Sequence, residues 1–221
     1  MTHSAFALAH LLDMPAGEPW GGLVILHGAG SRKENHADMA AAAAIAGLAV
    51  VRFDMRGHGD TGGQLDGRAL DDVAAAAALL PSGLPFALRG SSMGGYLALV
   101  AAEHAGAAAV IAICPAPAPL LARGLRTGRL EVAADTAALE ALLASHPLDA
   151  AVAALELPVL IQHAELDEEV PVDGSRALAT RLRHPDSRLR VMPGGDHRSV
   201  QHEPAAQAAA LAWLHEVLGR R

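Results

Sequence analysis

The sequence predicts an α/β protein: a doubly wound, mostly parallel sheet with helices on both faces. Three observations predict it. Short apolar runs rich in Val, Ile and Leu alternate along the chain with alanine-rich stretches of helical character. The runs are nearly continuous rather than alternating in polarity, as strands must be when helices cover both faces of their sheet. Hydrophobic residues make up 52% of the chain but aromatics only 3%, so the core is built from Leu, Val, Ile and Ala, and alanine favours the helices.

The elements follow in order. Strands are expected at 23–26, 48–53, 86–89, 109–113, 159–162 and 188–192, with an earlier one near 6–12. Helices are expected at about 35–46, 67–80, 93–104, 173–184 and 204–218. The βαβ alternation implies parallel strands joined by right-handed crossovers. With 221 residues, the whole chain, 1–221, is expected to form one domain. One segment breaks the rhythm. From 115 to 157 there is no strand, only "PAPAPLLARGLRTGRL" and a stretch that reads as two or three short helices. An insertion at the carboxyl edge of such a sheet lies where ligands bind, so 115–157 is expected to be a small helical cap.

Composition excludes several classes of function. The net charge is −7, and no basic cluster is longer than Arg220-Arg221, which argues against nucleic acid and anionic membrane surfaces as partners. Cys114 is the single cysteine, so no disulfide framework exists and a reducing cytoplasm is the expected setting. The amino-terminal stretch has no basic region ahead of its short apolar run, unlike a secretory signal. The longest apolar run, 39–51, is shorter than the ~18 residues that a membrane span needs. No H-E-x-x-H, P-loop or strand-linked G-x-G-x-x-G occurs, so neither a metal nor a nucleotide cofactor is expected.

Five stretches carry chemistry. In "LRGSSMGGYLAL", Gly90-Ser91-Ser92-Met93-Gly94 fits G-x-S-x-G with Ser92 at its centre, between an apolar strand and an alanine-rich helix. Glycines two before and two after let a strand reverse into a helix and hold the central side chain up at its head. Ser92 is therefore the candidate nucleophile, and Ser91 is expected to turn its hydroxyl to neighbouring backbone. A serine needs a base, and the base an orienting acid, in the chain order Ser, Asp or Glu, His. In "PVLIQHAELDEEVP" the acid is Asp167, just past a strand, with Glu165, Glu168 and Glu169 as its rivals. In "LRVMPGGDHRS" a glycine loop after the next strand delivers His197, the candidate base. His163, His184 and His202 fall at a strand end or in helical stretches and lack that loop placement.

Two more loops complete the set. "LVILHGAGSRKEN" leads a strand into a loop that aims a backbone N–H at the same space. An oxyanion needs two donors, and these are expected from Met93, which follows the nucleophile, and from Ala29. His27 is expected to fix that loop by hydrogen bonds. In "VVRFDMRGHGDTGG" a strand ends at Asp54, and Arg56 and His58 are expected to hold backbone in a compact glycine turn.

Taken in order, "LHGAG", "FDMRGHGDTGG", "GSSMGG", "HAELDEEVP" and "GGDHRS" resemble the α/β-hydrolase superfamily over nearly the whole chain. The look is that of small-capped serine hydrolases: carboxylesterases, dienelactone-hydrolase-like enzymes and palmitoyl thioesterases related to the serine aminopeptidases. The resemblance implies an α/β-hydrolase fold, Ser92 as nucleophile, Asp167 as acid, His197 as base, and oxyanion donors at Met93 and Ala29. It implies a small-molecule ester or thioester as substrate. Two positions depart from the family pattern. Ala164 stands where glycine usually follows the histidine, and the elbow holds serine where dienelactone hydrolases proper hold cysteine. The expected activity is hydrolysis of small to medium carboxylic esters through an acyl-enzyme. Leu120, Leu121, Leu125 and Leu130 suggest a modest apolar acyl pocket. The rivals are an acyl thioesterase, acyl transfer or perhydrolysis with the same machinery, and a catalytically silent binding protein on the same fold.

Overall fold

The computed structural model describes residues 7–219. Its centre is a seven-stranded sheet: β1 (His10–Asp13), β2 (Gly21–Leu26), β3 (Leu48–Phe53), β4 (Phe86–Ser91), β5 (Ala109–Ile113), β6 (Val159–Ala164) and β7 (Arg188–Met192). The strand order is β1-β3-β2-β4-β5-β6-β7. All neighbouring pairs are parallel except β1 with β3. The expected doubly wound, mostly parallel sheet is therefore what forms. The early strand is shorter than 6–12 and is antiparallel; of that span, Phe6 lies outside the described residues. A forked ion pair from Arg52 to Asp13, at 2.8 and 3.1 Å, ties this edge strand to β3.

The core is double, and strand alternation decides which side chain joins which half. Leu23 and Ile25 face one layer while Val24 and Leu26 face the other. On the first side lie α1 (Ala37–Ile45) and α9 (Pro204–Leu218), which bury Met39, Ala40, Trp213 and Leu214. On the second lie α2 (Ala69–Ala77), α3 (Met93–Val100) and α4 (Ala102–Ala105). The stretch expected as one helix over 93–104 is thus two, parted at Ala101, whose φ of −93° and ψ of −6° lie at the flat edge of the right-handed helical region. The helix after β6, α8 (Val172–Ala179), stops five residues short of the expected end.

Between β5 and β6 the segment 115–157 holds α5 (Ala118–Arg126), α6 (Thr136–Ser145) and α7 (Leu148–Ala154). Asp135 caps α6, its carboxylate accepting the Ala138 N–H at 3.1 Å. The segment is stitched to the loop after β3 by Leu65 N–H to Ala133 O (2.8 Å) and Asp135 N–H to Leu65 O (3.0 Å). That stitch sets 129–131 beside the carboxyl edge of the sheet. Among the described residues, no helix is long and apolar enough to cross a membrane.

Candidate active site

Strand β4 runs two residues past its expected end and delivers Ser92 directly into α3. Ser92 has φ 54° and ψ −116°, a left-handed conformation that costs a serine of order 1 kcal/mol or more and persists only when its surroundings enforce it. The enforcement is visible. The Ser92 N–H donates to Ile113 O at 2.9 Å, and the Ser92 carbonyl accepts from Tyr96 and Ala116 N–H at 3.0 and 3.2 Å. Gly90 and Gly94 permit the turn because a Cβ on either would strike backbone: the Gly94 carbonyl in the first case, the Leu26 and His27 carbonyls in the second.

The candidate acid and base arrive from neighbouring loops. Asp167 follows β6 and His197 follows β7; His197 Nδ1 donates to Asp167 Oδ2 at 2.7 Å. The other carboxylate oxygen accepts the Glu169 and Val170 N–H groups at 3.0 and 2.8 Å. Burial by itself would raise the Asp167 pKa. Hydrogen bonds from His163, His197 and the Val170 amide outweigh it and hold the carboxyl ionised, far below the usual range. Glu165, Glu168 and Glu169 are exposed, and no hydrogen bond joins them to His197 among the described residues.

Ser92 and His197 line one cleft of about 490 Å³, along with Gly28, Ala29 and Ser91. The backbone N–H groups of Met93, at the first turn of α3, and of Ala29 donate to no other described backbone group. The Ala29 loop is braced from below. His27 donates Nδ1–H to Gly28 O at 2.8 Å and accepts the Met55 N–H on Nε2 at 3.1 Å. Buried Asp54 accepts the Lys33 N–H and Lys33 Nζ, both at 2.7 Å, and the Asp60 N–H at 2.9 Å. Burial would lower the Lys33 pKa, but its bonds to Asp54, Asp60 and Glu34 win and raise it. His58 Nδ1 donates to Arg56 O at 3.3 Å, whereas Arg56 itself grips the carboxylates of Asp72 and Asp66. The expectation that Arg56 holds backbone misses these carboxylates, which reach it from α2 and the loop before it.

Two expectations change here. Ser91 Oγ hydrogen-bonds no described residue, because the hydroxyl lies along the cleft instead of turning to backbone. Of the four leucines assigned to an acyl pocket, only Leu130 reaches the cleft. Leu121 turns down with Leu139 and Leu143 onto Met93, Tyr96 and Leu97, leaving an apolar seam of about 10 Å³. The cleft wall is otherwise polar, with Asn35, Arg129, Glu131, Arg198 and Gln201 on it.

Two further residues lie beside Asp167, and loop placement does not single them out. His163 Nε2 lies 3.3 Å from Asp167 Oδ2, and Cys114 Sγ sits within 4.8 Å of the Asp167 and His197 donor atoms. The available signal was burial: a histidine inside an apolar strand must find polar partners. Cys114, Asp167 and His197 are also a group whose atoms are close enough to hold a metal ion. Burial pushes the Cys114 thiol up to about 12, away from the thiolate a metal takes.

Two histidines under the cleft set a pH dependence of stability. Burial lowers the His27 pKa from 6.5 to about 4 and the His36 pKa from 6.5 to about 3. Both stay neutral when folded, while the unfolded chain binds protons below about 6.5, so stability is intact above that pH and is lost progressively toward pH 4. Scanning calorimetry is expected to show Tm falling by at least about 5 °C between pH 7.5 and 4.5. A flat Tm across that range would contradict neutral burial of this pair.

The sheet order, the strained turn into α3 and the carboxylate–imidazole pair on successive strand-end loops are those of an α/β-hydrolase. The chain belongs to the Hydrolase_4 family, described as Serine aminopeptidase, S33, whose profile matches residues 17–132, just over half of the 221. It is 29% identical, over 243 aligned positions, to a monoacylglycerol lipase of Mycolicibacterium smegmatis, covering 86% of this chain and 85% of that protein. Among solved structures it resembles Est1E from Butyrivibrio proteoclasticus bound to ferulic acid, with a TM-score of 0.78, 24% identity and 96% of each chain covered. It also resembles the monoacylglycerol lipase of Paleococcus ferrophilus, with a TM-score of 0.75 and 19% identity, covering 95% of this chain and 99% of that one. At those identities the two structures speak to the fold.

Proposed function

We propose that the protein is a cytoplasmic serine esterase that hydrolyses small carboxylic esters of polar alcohols through an acyl-enzyme. One observation carries the reading: a positively twisted serine at a helix head shares a cleft with a histidine whose far nitrogen is 2.7 Å from a buried carboxylate. Ser92 Oγ attacks the ester carbonyl as His197 Nε2 takes its proton. Asp167 holds the imidazole in the Nδ1–H tautomer and stabilises the imidazolium. The Met93 and Ala29 N–H groups receive the developing oxyanion, each donor supplying on the order of 3 kcal/mol. His197 returns the proton to the leaving alkoxide, then activates water against the acyl-enzyme. Among the described residues Ser92 Oγ has no hydrogen-bond partner. The serine–imidazole bond is therefore one that tightens as substrate enters.

The segment 115–157 acts as a small cap whose 129–131 edge forms one wall of the cleft. Because its leucines pack onto α3, the cleft offers a long acyl chain little apolar surface. Each methylene left in water forgoes about 0.8 kcal/mol, so selectivity is expected to peak at short chains. A p-nitrophenyl series from acetate to decanoate tests this, with kcat/KM expected highest at two to four carbons, within about tenfold of one another. A maximum at eight carbons or beyond would overturn the short-chain assignment. Fluorophosphonate labelling of Ser92 tests the wider reading: an unlabelled protein would be a silent binding protein, and a matched thioester preferred over its ester would make the enzyme a thioesterase.

A further inference from the structure

Two imidazoles lie against Asp167, and the reaction above uses only one of them. His197 Nδ1 lies 2.7 Å from Oδ2. On the other side of the same oxygen, His163 Nε2 lies 3.3 Å away and is 2.8 Å from the Val170 carbonyl. Both neighbours of Nε2 are acceptors, so Nε2 carries the proton; it donates to the Val170 carbonyl and sets the same N–H against Asp167 Oδ2. The other ring nitrogen, Nδ1, is then an acceptor, and Ser175 Oγ lies 2.7 Å from it, donating. His163 is fully buried on β6 and Ser175 is buried on α8, so neither bond competes with water.

Both oxygens of the carboxylate are engaged. Oδ1 takes the amides of Glu169 and Val170; Oδ2 takes His197 and has the His163 Nε2–H beside it. An aspartate's terminal torsion is otherwise broad, and a small rotation would swing Oδ2 off the His197 ring. We propose that His163 is a positioning residue for the Asp167–His197 pair. Its Nε2–H pins the carboxylate and the Val170 carbonyl together, and Ser175 fixes the tautomer that lets it do so. The inference rests on the esterase reading for its kinetic consequence, not for its geometry.

The experiment compares H163L, H163Q and S175A with the parent protein by ester kinetics and by the NMR signal of the His197 Nδ1 proton that bonds Asp167. Glutamine keeps a donor near the place of Nε2; leucine has none. H163L is expected to lose about 10–100-fold in kcat at unchanged KM, as loss of a partner that orients a functional histidine does, and its Nδ1–H signal moves upfield or broadens as the bond to Asp167 loosens. H163Q is expected to restore kcat to within about threefold of the parent and the signal with it. S175A moves both readouts in the H163L direction by less. Equal losses in H163Q and H163L, or an unmoved signal in H163L, would reduce His163 to a packing residue and overturn the proposal. Should H163L not fold, S175A decides: parent-like values in both readouts overturn it. The signal needs no substrate, so a moved signal in a protein that cleaves no ester sinks the esterase reading alone, while an active protein with an unmoved signal sinks this one alone.

Discussion

Ser92→Ala is expected to lower kcat/KM on a p-nitrophenyl acetate by about 10⁴-fold or more, because every covalent step begins at that oxygen. What remains is the contribution of the oxyanion donors and of binding, which do not need the hydroxyl. Fluorophosphonate labelling is expected to vanish with it. The fold is expected to stay, since Ser92 Oγ has no hydrogen-bond partner among the described residues and the turn is held by backbone bonds to Ile113, Tyr96 and Ala116. Ser92→Gly separates chemistry from strain. It loses the same activity, but glycine takes φ 54° without a Cβ penalty, so Tm is expected to rise by the equivalent of about 1 kcal/mol. Unchanged turnover in Ser92→Ala would remove Ser92 from the mechanism. A Ser92→Gly protein less stable than its parent would show that the turn carries no strain.

Gly94→Ala is expected to be among the most damaging single-methyl additions in the chain. The new Cβ would meet the carbonyls of both Leu26 and His27, at the end of β2 where the sheet passes under the first turn of α3. Those are backbone atoms of a buried central strand, and neither can move aside as a flexible side chain would. Relief requires α3 to back away from β2, which pulls apart the packing of Met93 and Leu97. The expected cost is about 3 kcal/mol or more, read as a lower denaturation midpoint or as insoluble expression. Gly174→Ala is the control: its Cβ would meet nothing within 4 Å on helix α8, and alanine is expected to stabilise by up to about 1 kcal/mol. A Gly94→Ala protein as stable as the parent would mean that α3 is not seated against β2 as described.

Much of this architecture is legible along the chain. The strands at 48–53 and 109–113 begin and end where their apolar runs do, because a strand buried on both faces tolerates little else, whereas the 188–192 edge strand carries exposed and half-buried residues. Ser92 announces itself through the spacing of Gly90 and Gly94, a purely local steric requirement. Asp167 and His197 stand out by falling on loops after consecutive strands, and the structure brings their side chains to 2.7 Å. The boundaries of α3 and α8 are less legible: alanine-rich sequence continues past the end of α3, neither glycine nor proline interrupts Thr180 to His184 after α8, and only packing decides where each helix stops.

Three features lay beyond any linear reading. His163, read as a strand-end histidine, became the second imidazole on Asp167, because β6 and the loop after it fold back on one another over four residues. The leucines of 115–157 promised an acyl pocket, but a helical segment offers several faces, and which one meets the cleft depends on the stitch between Leu65 and Ala133. Strand β1 pairs antiparallel with β3, a direction that composition does not encode. Patterns of polarity and backbone tolerance act between near neighbours in the chain, so they specify which elements form and which loops carry polar tips. Contacts between residues far apart in sequence depend on how those elements settle against each other, and there the direction of each buried side chain is chosen.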